Sequence, residues 1–250
     1  MLQAIISDIH ANLEALTVVI EDIRKRDIRD IICLGDVVGY GPNPCECIDA
    51  AREFRLSLMG NHEEAALNIM HARGFNPKAS SAVKWTVAQF DILTDREKNG
   101  PRWDFMGELK PNYKADGVFC VHGSPLDYTR GYIYGTDTRN PNKMSRIFAE
   151  IEHVCFVGHT HIPGIWTEDL TFQSPEELDY VYQLDNRKTI INVGSVGQPR
   201  DMDNRACYVL FDGSRITFRK LNYPFEKTAG KIFAIPELDA FLGHRLRDGR

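Results

Sequence analysis

Short apolar runs alternate with longer amphipathic stretches along the first part of the chain. The apolar runs around Ile5 and Ile32 are typical of buried strands, and residues 11–26 place aliphatic side chains three or four positions apart, as in a helix with one buried face. The predicted elements are, in order, a strand over 4–7, a helix over 11–26, a strand over 30–34, a helix over 44–54, a strand over 56–59 and a helix over 63–70. This β-α-β-α-β order favours a parallel or mixed sheet covered by helices.

Strands become more frequent towards the C-terminus. Residues 78–108 have a charged helical pattern with breaks at Pro101 and Pro111, and residues 124–142 are rich in Gly, Asp, Thr and Tyr, as in a long loop. The remaining predicted elements are strands over 117–121, 154–157, 180–184, 189–193, 207–211 and 216–221, with helices over 142–150 and 237–250. Asp212-Gly213 has the composition of a hairpin turn.

No linker, repeat or low-complexity tract divides the sequence. We therefore expect a single domain over 1–250, with a helical insertion over 84–115 and a strand-rich second sheet over 165–222. The fold class that follows is α/β.

The composition is that of a globular protein: of 250 residues, 43% are hydrophobic and 26% charged, with a formal net charge of −5. No apolar run approaches the roughly 18 residues of a membrane span, and the N-terminus lacks the charged segment of a secretion signal. We expect a cytoplasmic protein that does not bind membranes. The sequence allows an oligomer and does not determine the oligomeric state. The mild acidity argues against bulk nucleic-acid binding and allows a small anionic substrate.

The six cysteines lie mostly in apolar runs, so buried thiols are a better interpretation than disulfides. Cys45 and Cys47 form a C-x-C pair with no second pair near them, and we do not expect them to bind metal.

Polar side chains follow five of the predicted strands. The segments are Asp8-Ile9-His10, Gly35-Asp36, Gly60-Asn61-His62-Glu63, His122-Gly123 and Gly158-His159-Thr160-His161. Taken singly, each has an ordinary structural explanation: Gly-Asp is a common turn, and Asn61 could be the N-cap of a helix. Taken together, they deliver Asp, Asn and His to the carboxyl edge of an α/β sheet, where such folds bind ligands.

Oxygen and nitrogen donors without thiolate suit Mn²⁺, Fe, Zn²⁺, Ni²⁺ or Co²⁺. Their number exceeds what one ion takes from a protein, so we expect two divalent ions bridged by a carboxylate. If the backbone is extended, Asp8 and His10 point the same way, as do His159 and His161, because residues i and i+2 of a strand share a face.

These five blocks, in this order, resemble the signature blocks of the calcineurin-like metallophosphoesterases. The segment 192–201, Asn-Val-Gly-Ser-Val-Gly-Gln-Pro-Arg-Asp, resembles the small prokaryotic branch, some of whose members are described as phosphodiesterases or diadenosine-tetraphosphatase-like. The resemblance implies a four-layer α-β-β-α sandwich of two mixed β-sheets flanked by helices. It also implies a phosphoesterase acting on a small phosphorylated substrate of the phosphodiester or nucleotide type.

The resemblance assigns roles to individual positions. It implies that the first ion is held by Asp8, His10, Asp36 and His161, and the second by Asp36, Asn61, His122 and His159. His62 is then not a ligand but a catalytic residue that stabilises or protonates the leaving oxygen, acting with Asp36 and Asn61. The family usually has Asp where this chain has Glu63, so the orientation and protonation of His62 are in question.

The implied mechanism is direct attack on phosphorus by a metal-bound hydroxide, with no phosphoenzyme. Substrate contacts are expected from loops at the rim. Arg200 could bind a phosphate through its guanidinium fork, with Ser195 nearby, while Tyr132 and Arg130 could stack on a base and hold its phosphate. Each of these side chains could instead be structural.

Two other functions, a binding scaffold and a phosphoprotein phosphatase, are alternatives to this phosphoesterase. A non-catalytic binding scaffold on the same fold would have a degraded ligand set, and this chain has an intact one. A phosphoprotein phosphatase would ordinarily need a longer chain with a broad docking surface, which the sequence does not provide.

Overall fold

The computed structural model describes residues 2–250, with the backbone alone described at residue 73. Two six-stranded β-sheets pack face to face, and helices cover the outer face of each sheet. This is the predicted α-β-β-α sandwich, and the prediction is confirmed. Within residues 2–250, no helix has both the length and the apolar character needed to cross a bilayer.

Each sheet contains a block of parallel strands. The strands are β1 (Gln3–Ile6), β2 (Ile31–Cys33), β3 (Leu56–Ser57), β4 (Asn112–Ala115), β5 (Val118–Val121), β6 (Val154–Val157), β7 (Gly164–Thr167), β8 (Phe172–Gln173), β9 (Val181–Gln183), β10 (Thr189–Asn192), β11 (Ala206–Phe211) and β12 (Arg215–Leu221). The first sheet has the order β3-β2-β1-β11-β12-β9 and the second β4-β5-β6-β10-β7-β8. The strands β1, β2 and β3 are parallel, as are β5, β6 and β10, so their carboxyl ends share an edge in each sheet.

The helices surround these sheets. They are α1 (Leu13–Arg24), α2 (Pro44–Ala51), α3 (Asn61–Leu67), α4 (Pro77–Gln89), α5 (Arg96–Glu108), α6 (Pro141–Ala149), α7 (Phe225–Phe233) and α8 (Ala240–Asp248), with 3₁₀ turns at Ile69–Gly74 and Gly135–Arg139. Asn12 caps α1 by accepting from the Ala15 N–H at 3.1 Å, as an N-cap residue does.

The core has three layers, which explains why β1 is apolar throughout. Ile5 packs between the two sheets with Val209 and Phe156, while Ala4 and Ile6 point the other way and pack against α1 and its neighbours. Both faces of the strand are therefore buried, and its side chains alternate between two cores.

The strands of 165–222 do not form one sheet, contrary to expectation. β9, β11 and β12 extend the first sheet, and β7, β8 and β10 belong to the second. The antiparallel register of β11 places Val209 opposite Ile5 of β1. Because β11 is buried on both faces, its apolar pattern does not indicate which sheet it joins.

The predicted insertion over 84–115 is not helical throughout. It contains the end of α4, then α5, and its last residues form β4. Pro101 lies inside α5 and does not end that helix, although its ring removes one backbone donor.

The C-terminal helices pack beside the start of α1 and had only partly been predicted. The Thr228 hydroxyl of α7 donates to Asn12 Oδ1 at 2.9 Å, and Lys231 lies 2.7 Å from Glu14. These contacts place α7 next to the carboxyl edge of β1, and α8 packs against α7.

Candidate metal centre

Five loops bring buried polar side chains to one place at the carboxyl edge of the strands. The residues are Asp8 and His10 after β1, Asp36 after β2, Asn61 and His62 at the start of α3, His122 after β5, and His159 and His161 after β6. All are at least nine-tenths buried. The structure thus places all the predicted ligands together.

A first cluster consists of Asp8, His10 and His161, whose ligand atoms lie within 4.8 Å of one another. His161 Nε2 is 3.1 Å from Asp8 Oδ1 and 3.1 Å from His10 Nε2. The Nδ1 atoms of both imidazoles face carbonyl oxygens, that of Val38 for His10 at 3.1 Å and that of Gln198 for His161 at 2.5 Å.

Those carbonyls determine what the facing nitrogens can do. A carbonyl accepts only from Nδ1–H, which leaves Nε2 of a neutral imidazole with a lone pair. Two such lone pairs from His10 and His161 then point at each other and at Asp8 Oδ1, which has no hydrogen-bond partner despite being buried. A cation satisfies this arrangement, and the donor set fits a divalent transition metal.

A second cluster consists of Asp36, His122 and His159, again within 4.8 Å. His122 Nε2 lies 3.1 Å from His159 Nδ1 and 3.2 Å from Asn61 Oδ1. An amide oxygen, two imidazole nitrogens and a carboxylate therefore converge as the resemblance implies for the second ion.

Asp36 lies between the two clusters. Its Oδ2 atom is 3.7 Å from His10 Nε2 and 3.3 Å from His122 Nε2. Its Oδ1 atom accepts the backbone N–H of His62 at 2.9 Å, which fixes the carboxylate plane. One oxygen is thus shared between the clusters, as a bridging ligand requires.

The backbone reaches this geometry through left-handed residues. Positive φ angles occur at Asp8 (55°), His10 (48°), Asp36 (53°), His159 (63°) and His161 (61°). This differs from our expectation that extended backbone would align the i and i+2 side chains. Non-glycine residues in this region are strained, by about 1 kcal/mol or more each, and such strain gathers at functional sites.

Glu63 has a role that the sequence did not reveal. Its Oε2 atom accepts the N–H groups of Asp36 and Gly60 at 2.8 and 2.9 Å, and its Oε1 atom accepts that of Val38 at 3.0 Å. The carboxylate therefore ties the Asp36 loop to the start of α3, and it makes no hydrogen bond to the His62 ring. The helix begins at Asn61 with Gly60 as its N-cap.

His62 sits in an aromatic pocket beside Asp36. Its ring centroid is 4.5 Å from that of Tyr40, 4.8 Å from that of Phe75 and 4.9 Å from that of His10. Its Nδ1 atom has no hydrogen-bond partner and lies against Gly39, where a Cβ would approach within 2.1 Å. Burial lowers the pKa of His62 to about 4, so without other ligands the ring is neutral at pH 7.

The electrostatics favour ligand protonation states that bind metal. Burial lowers the pKa of His10 and brings that of His159 to about 3. Against the effect of burial, neighbouring imidazoles hold the pKa of Asp36 well below its usual range. The exception is His122, whose pKa the Asp36 charge raises to about 9 against burial, so metal binding there displaces a proton.

The four predicted substrate contacts have different surroundings. Arg200 and Tyr132 lie at the rim: the Arg200 charge adds to burial in lowering the pKa of His161, and the Tyr132 ring centroid is 4.0 Å from that of His159. Arg130 donates to Glu64 at 2.9 and 3.1 Å. Ser195 is fully buried and donates to the Asp8 carbonyl at 2.9 Å, so it supports the backbone of the site.

Tyr40 was not singled out from the sequence. Its ring centroid is 4.7 Å from that of His10, and its φ is 62°. The glycines on either side of it, in Gly39-Tyr40-Gly41, are the signal that could have marked this tight loop.

Known proteins resemble this chain in sequence and in fold. The family profile described as calcineurin-like phosphoesterase superfamily domain matches residues 1–215. An uncharacterised protein of Methanocaldococcus jannaschii is 35% identical over 252 residues, covering 99% of this chain and 98% of that protein. The crystal structure of a metallophosphoesterase from Sphaerobacter thermophilus has a TM-score of 0.84 at 34% identity, with 100% of this chain and 99% of that one covered.

A hypothetical protein from Pyrococcus horikoshii has the same fold, with a TM-score of 0.76 at 17% identity over 100% of this chain and 98% of that one. The resemblance of the five signature blocks to the calcineurin-like metallophosphoesterases is therefore confirmed. That family is metal-dependent, and the clusters described above could bind metal ions. The chain belongs to the calcineurin-like phosphoesterase superfamily and is a phosphoesterase hydrolase.

Proposed function

We propose that the protein is a dinuclear metal-dependent phosphoesterase that hydrolyses a phosphate ester or phosphoanhydride in a small phosphodiester or nucleotide-type substrate. The observation that carries this proposal is the position of Asp36 Oδ2 between His10 and His122. The first ion would be held by Asp8, His10, Asp36 and His161, and the second by Asp36, Asn61, His122 and His159.

The chemistry needs an activated water and neutralised phosphoryl oxygens. Two divalent ions at this site, of which Mn, Fe, Zn, Ni and Co all suit the donors, would lower the pKa of water and offset phosphoryl charge. The protein itself supplies His62, which is held by its aromatic neighbours and by the bond from its backbone N–H to Asp36. A neutral His62 can donate an N–H hydrogen bond to the leaving oxygen, and a bound phosphate favours its protonated form.

The rim favours a substrate with an aromatic group beside the phosphate. Tyr132 and Tyr134 are stacked, with centroids 5.5 Å apart and planes at 5°, and they are 45% and 43% exposed. Because Tyr132 packs on His159, the pair lies next to the metal ligands and offers a surface on which a nucleobase can stack. This supports a nucleotide-type substrate. The complete ligand set, in turn, favours an enzyme over a non-catalytic scaffold.

The test is a screen of metal-reconstituted protein against bis-p-nitrophenyl phosphate, p-nitrophenyl phosphate and dinucleoside polyphosphates. We expect hydrolysis that depends on added divalent metal and disappears in Asp36→Asn. The matched control is Asp22→Asn, which changes a carboxylate in the last turn of α1 that is hydrogen-bonded to Tyr208 and is not among the predicted ligands. Equal rates for Asp36→Asn and the parent would refute the assignment.

A further inference from the structure

The two stacked tyrosines beside the metal centre belong to a short stretch of chain that side chains from other elements hold in place. We call residues 129–134 the tyrosine segment. Ile133 is buried in the core cluster on the outer face of the second sheet. Tyr132 and Tyr134, on either side of it, have exposed rings that stack on each other. The contacts of the segment therefore determine how firmly this exposed aromatic surface is held.

Glu64 of α3 holds the start of the segment. Its Oε1 atom accepts the Thr129 hydroxyl at 3.0 Å, and its Oε2 atom accepts from Nε and Nη2 of Arg130 at 3.1 and 2.9 Å. An isolated ion pair at a protein surface contributes little, but the Glu64 side chain is only 20% exposed and has these three hydrogen bonds. The Arg130 guanidinium is occupied by this carboxylate, which favours a structural role for it over a phosphate contact.

Lys143 of α6 and Asp137 hold the end of the segment. Lys143 Nζ donates to the Tyr132 carbonyl at 2.8 Å and to Asp137 Oδ2 at 2.6 Å. The same Asp137 oxygen accepts the Tyr134 N–H at 2.8 Å, and the Tyr134 carbonyl accepts from Trp166 Nε1 at 3.2 Å. The backbone of both tyrosines is therefore hydrogen-bonded to side chains outside the segment.

These contacts connect the segment to elements that carry predicted site residues. The helix of Glu64 begins with Asn61 and His62, and the Tyr132 ring lies against His159 with centroids 4.0 Å apart. The exposed tyrosine rings thus have a defined position relative to the candidate metal centre. An aromatic surface that is already ordered loses little freedom when a flat ring stacks on it, so more of the stacking energy contributes to affinity.

We propose that Glu64 and Lys143 are positioning residues that set the preference of the enzyme for phosphodiesters bearing a nucleobase. They hold Tyr132 and Tyr134 beside His159 and do not themselves touch the substrate. This rests on the proposed phosphoesterase function and adds the side chains that determine its substrate preference. Loss of either contact lets the tyrosine rings move, so part of the stacking is lost while the metal ligands stay in place.

The test compares two phosphodiesters that release the same p-nitrophenolate, thymidine 5′-(p-nitrophenyl phosphate) and methyl p-nitrophenyl phosphate. They differ in whether a nucleoside is present, and the readout is the ratio of their kcat/KM values. For Tyr132→Ala we expect this ratio to fall by about tenfold, a usual effect of losing one base stack. For Lys143→Met and Glu64→Gln we expect a fall of about threefold, through a higher KM for the thymidine ester with its kcat unchanged.

Lys188→Met is the matched control for Lys143→Met. Lys188 Nζ also donates to a backbone carbonyl of α6, that of Phe148 at 2.9 Å, but in the last turn of the helix, whereas Lys143 lies in the first. This control should keep the ratio of the parent. In a Tyr132→Ala background, Lys143→Met should change the ratio by less than about twofold, because a positioning residue then has no ring to position. A further fall of about threefold in that background would overturn the proposal.

A binding measurement separates this proposal from the function on which it rests. Metal-free protein is titrated with 2-aminopurine riboside 5′-monophosphate, whose fluorescence falls when its base stacks. We expect Kd to rise by about tenfold in Tyr132→Ala and about threefold in Lys143→Met, and to stay unchanged in Lys188→Met. If neither ester is hydrolysed but this order is found, the phosphoesterase assignment fails and the positioning role stands. If both esters are hydrolysed and Lys143→Met and Glu64→Gln keep the ratio of the parent, the positioning role is overturned, whatever the nucleotide affinity.

Discussion

The carboxylate of Asp22 and those of the candidate metal centre differ in their hydrogen-bond partners and in their backbone. Asp22, half-buried in the last turn of α1, accepts from Tyr208 at 2.6 Å, from Arg26 at 3.1 Å and from Arg219 at 3.3 Å. At the metal centre, Asp8 Oδ1 is buried with no hydrogen-bond partner. Asp22 lies in regular helix, whereas Asp8 and Asp36 have left-handed backbones.

The difference shows how a structural charge can be told from a ligand. A half-buried carboxylate that arginine and tyrosine side chains already neutralise needs nothing further, but a buried one that faces imidazole lone pairs on strained backbone needs a cation. Removing the Asp36 carboxylate should therefore impair activity, whereas removing the Asp22 carboxylate should lower the stability of the fold.

The largest expected effect is that of Asp36→Asn. Loss of the shared carboxylate removes a ligand from both ions, so we expect kcat for bis-p-nitrophenyl phosphate to fall by about 1,000-fold or more. Asp22→Asn should stay within about twofold of the parent in kcat once it is folded. A similar loss in both variants would contradict the separation of roles.

His62→Ala should lower kcat by about 100-fold, because it removes the hydrogen-bond or proton donor and no metal ligand. Metal content, measured by elemental analysis, should remain that of the parent. His62 lies within 4.8 Å of His10 and Asp36, so a metal content below that of the parent would show that it is a ligand after all.

Metal should stabilise the fold through the candidate metal centre and not through the Asp22 region. At a Mn²⁺ concentration about 100 times Kd, we expect Tm to rise by about 5–10 °C in the parent and in Asp22→Asn. Asp36→Asn should gain much less. Differential scanning calorimetry provides the measurement, and an equal rise in all three proteins would mean that Mn²⁺ binds elsewhere.

The smallest effect concerns pH at Asp22. Although burial acts in the other direction, hydrogen bonds from Arg26, Tyr208 and Arg219 lower the pKa of Asp22 to about 2. Because the folded pKa lies below the unfolded one, this carboxylate stabilises the fold above pH 4, by about 1 kcal/mol after solvent screening, and that contribution disappears as pH falls through 2. Urea unfolding of metal-free protein should show the advantage of the parent over Asp22→Asn shrinking between pH 5 and pH 2. A constant difference would contradict the shift.

The sequence was sufficient to predict which residues the candidate metal centre brings together, because their positions are defined by topology. Asp8, Asp36 and His122 each follow a parallel strand, and the carboxyl ends of such strands meet in space. The spacing of apolar residues predicted most strands and helices, because the apolar positions of a buried face recur with one period in a strand and with another in a helix.

What could not be predicted depends on contacts between distant segments. Glu63 binds backbone groups of the Asp36 loop, and Tyr40 packs against the cluster that contains Leu242 and Leu246 of α8. The left-handed backbone at His159 likewise follows from tertiary contacts, such as the bond from its N–H to Asp8 Oδ2 at 3.0 Å. No local pattern carries that information.

The central claim is that two ions share Asp36. Elemental analysis of protein reconstituted with Mn²⁺ and then desalted tests it most directly, with Asp22→Asn and Asp36→Asn treated in parallel. The account predicts about two Mn²⁺ per chain in the parent and in Asp22→Asn, and at most about one in Asp36→Asn. A fully active parent that holds a single ion, or an Asp36→Asn variant that retains both, would contradict it.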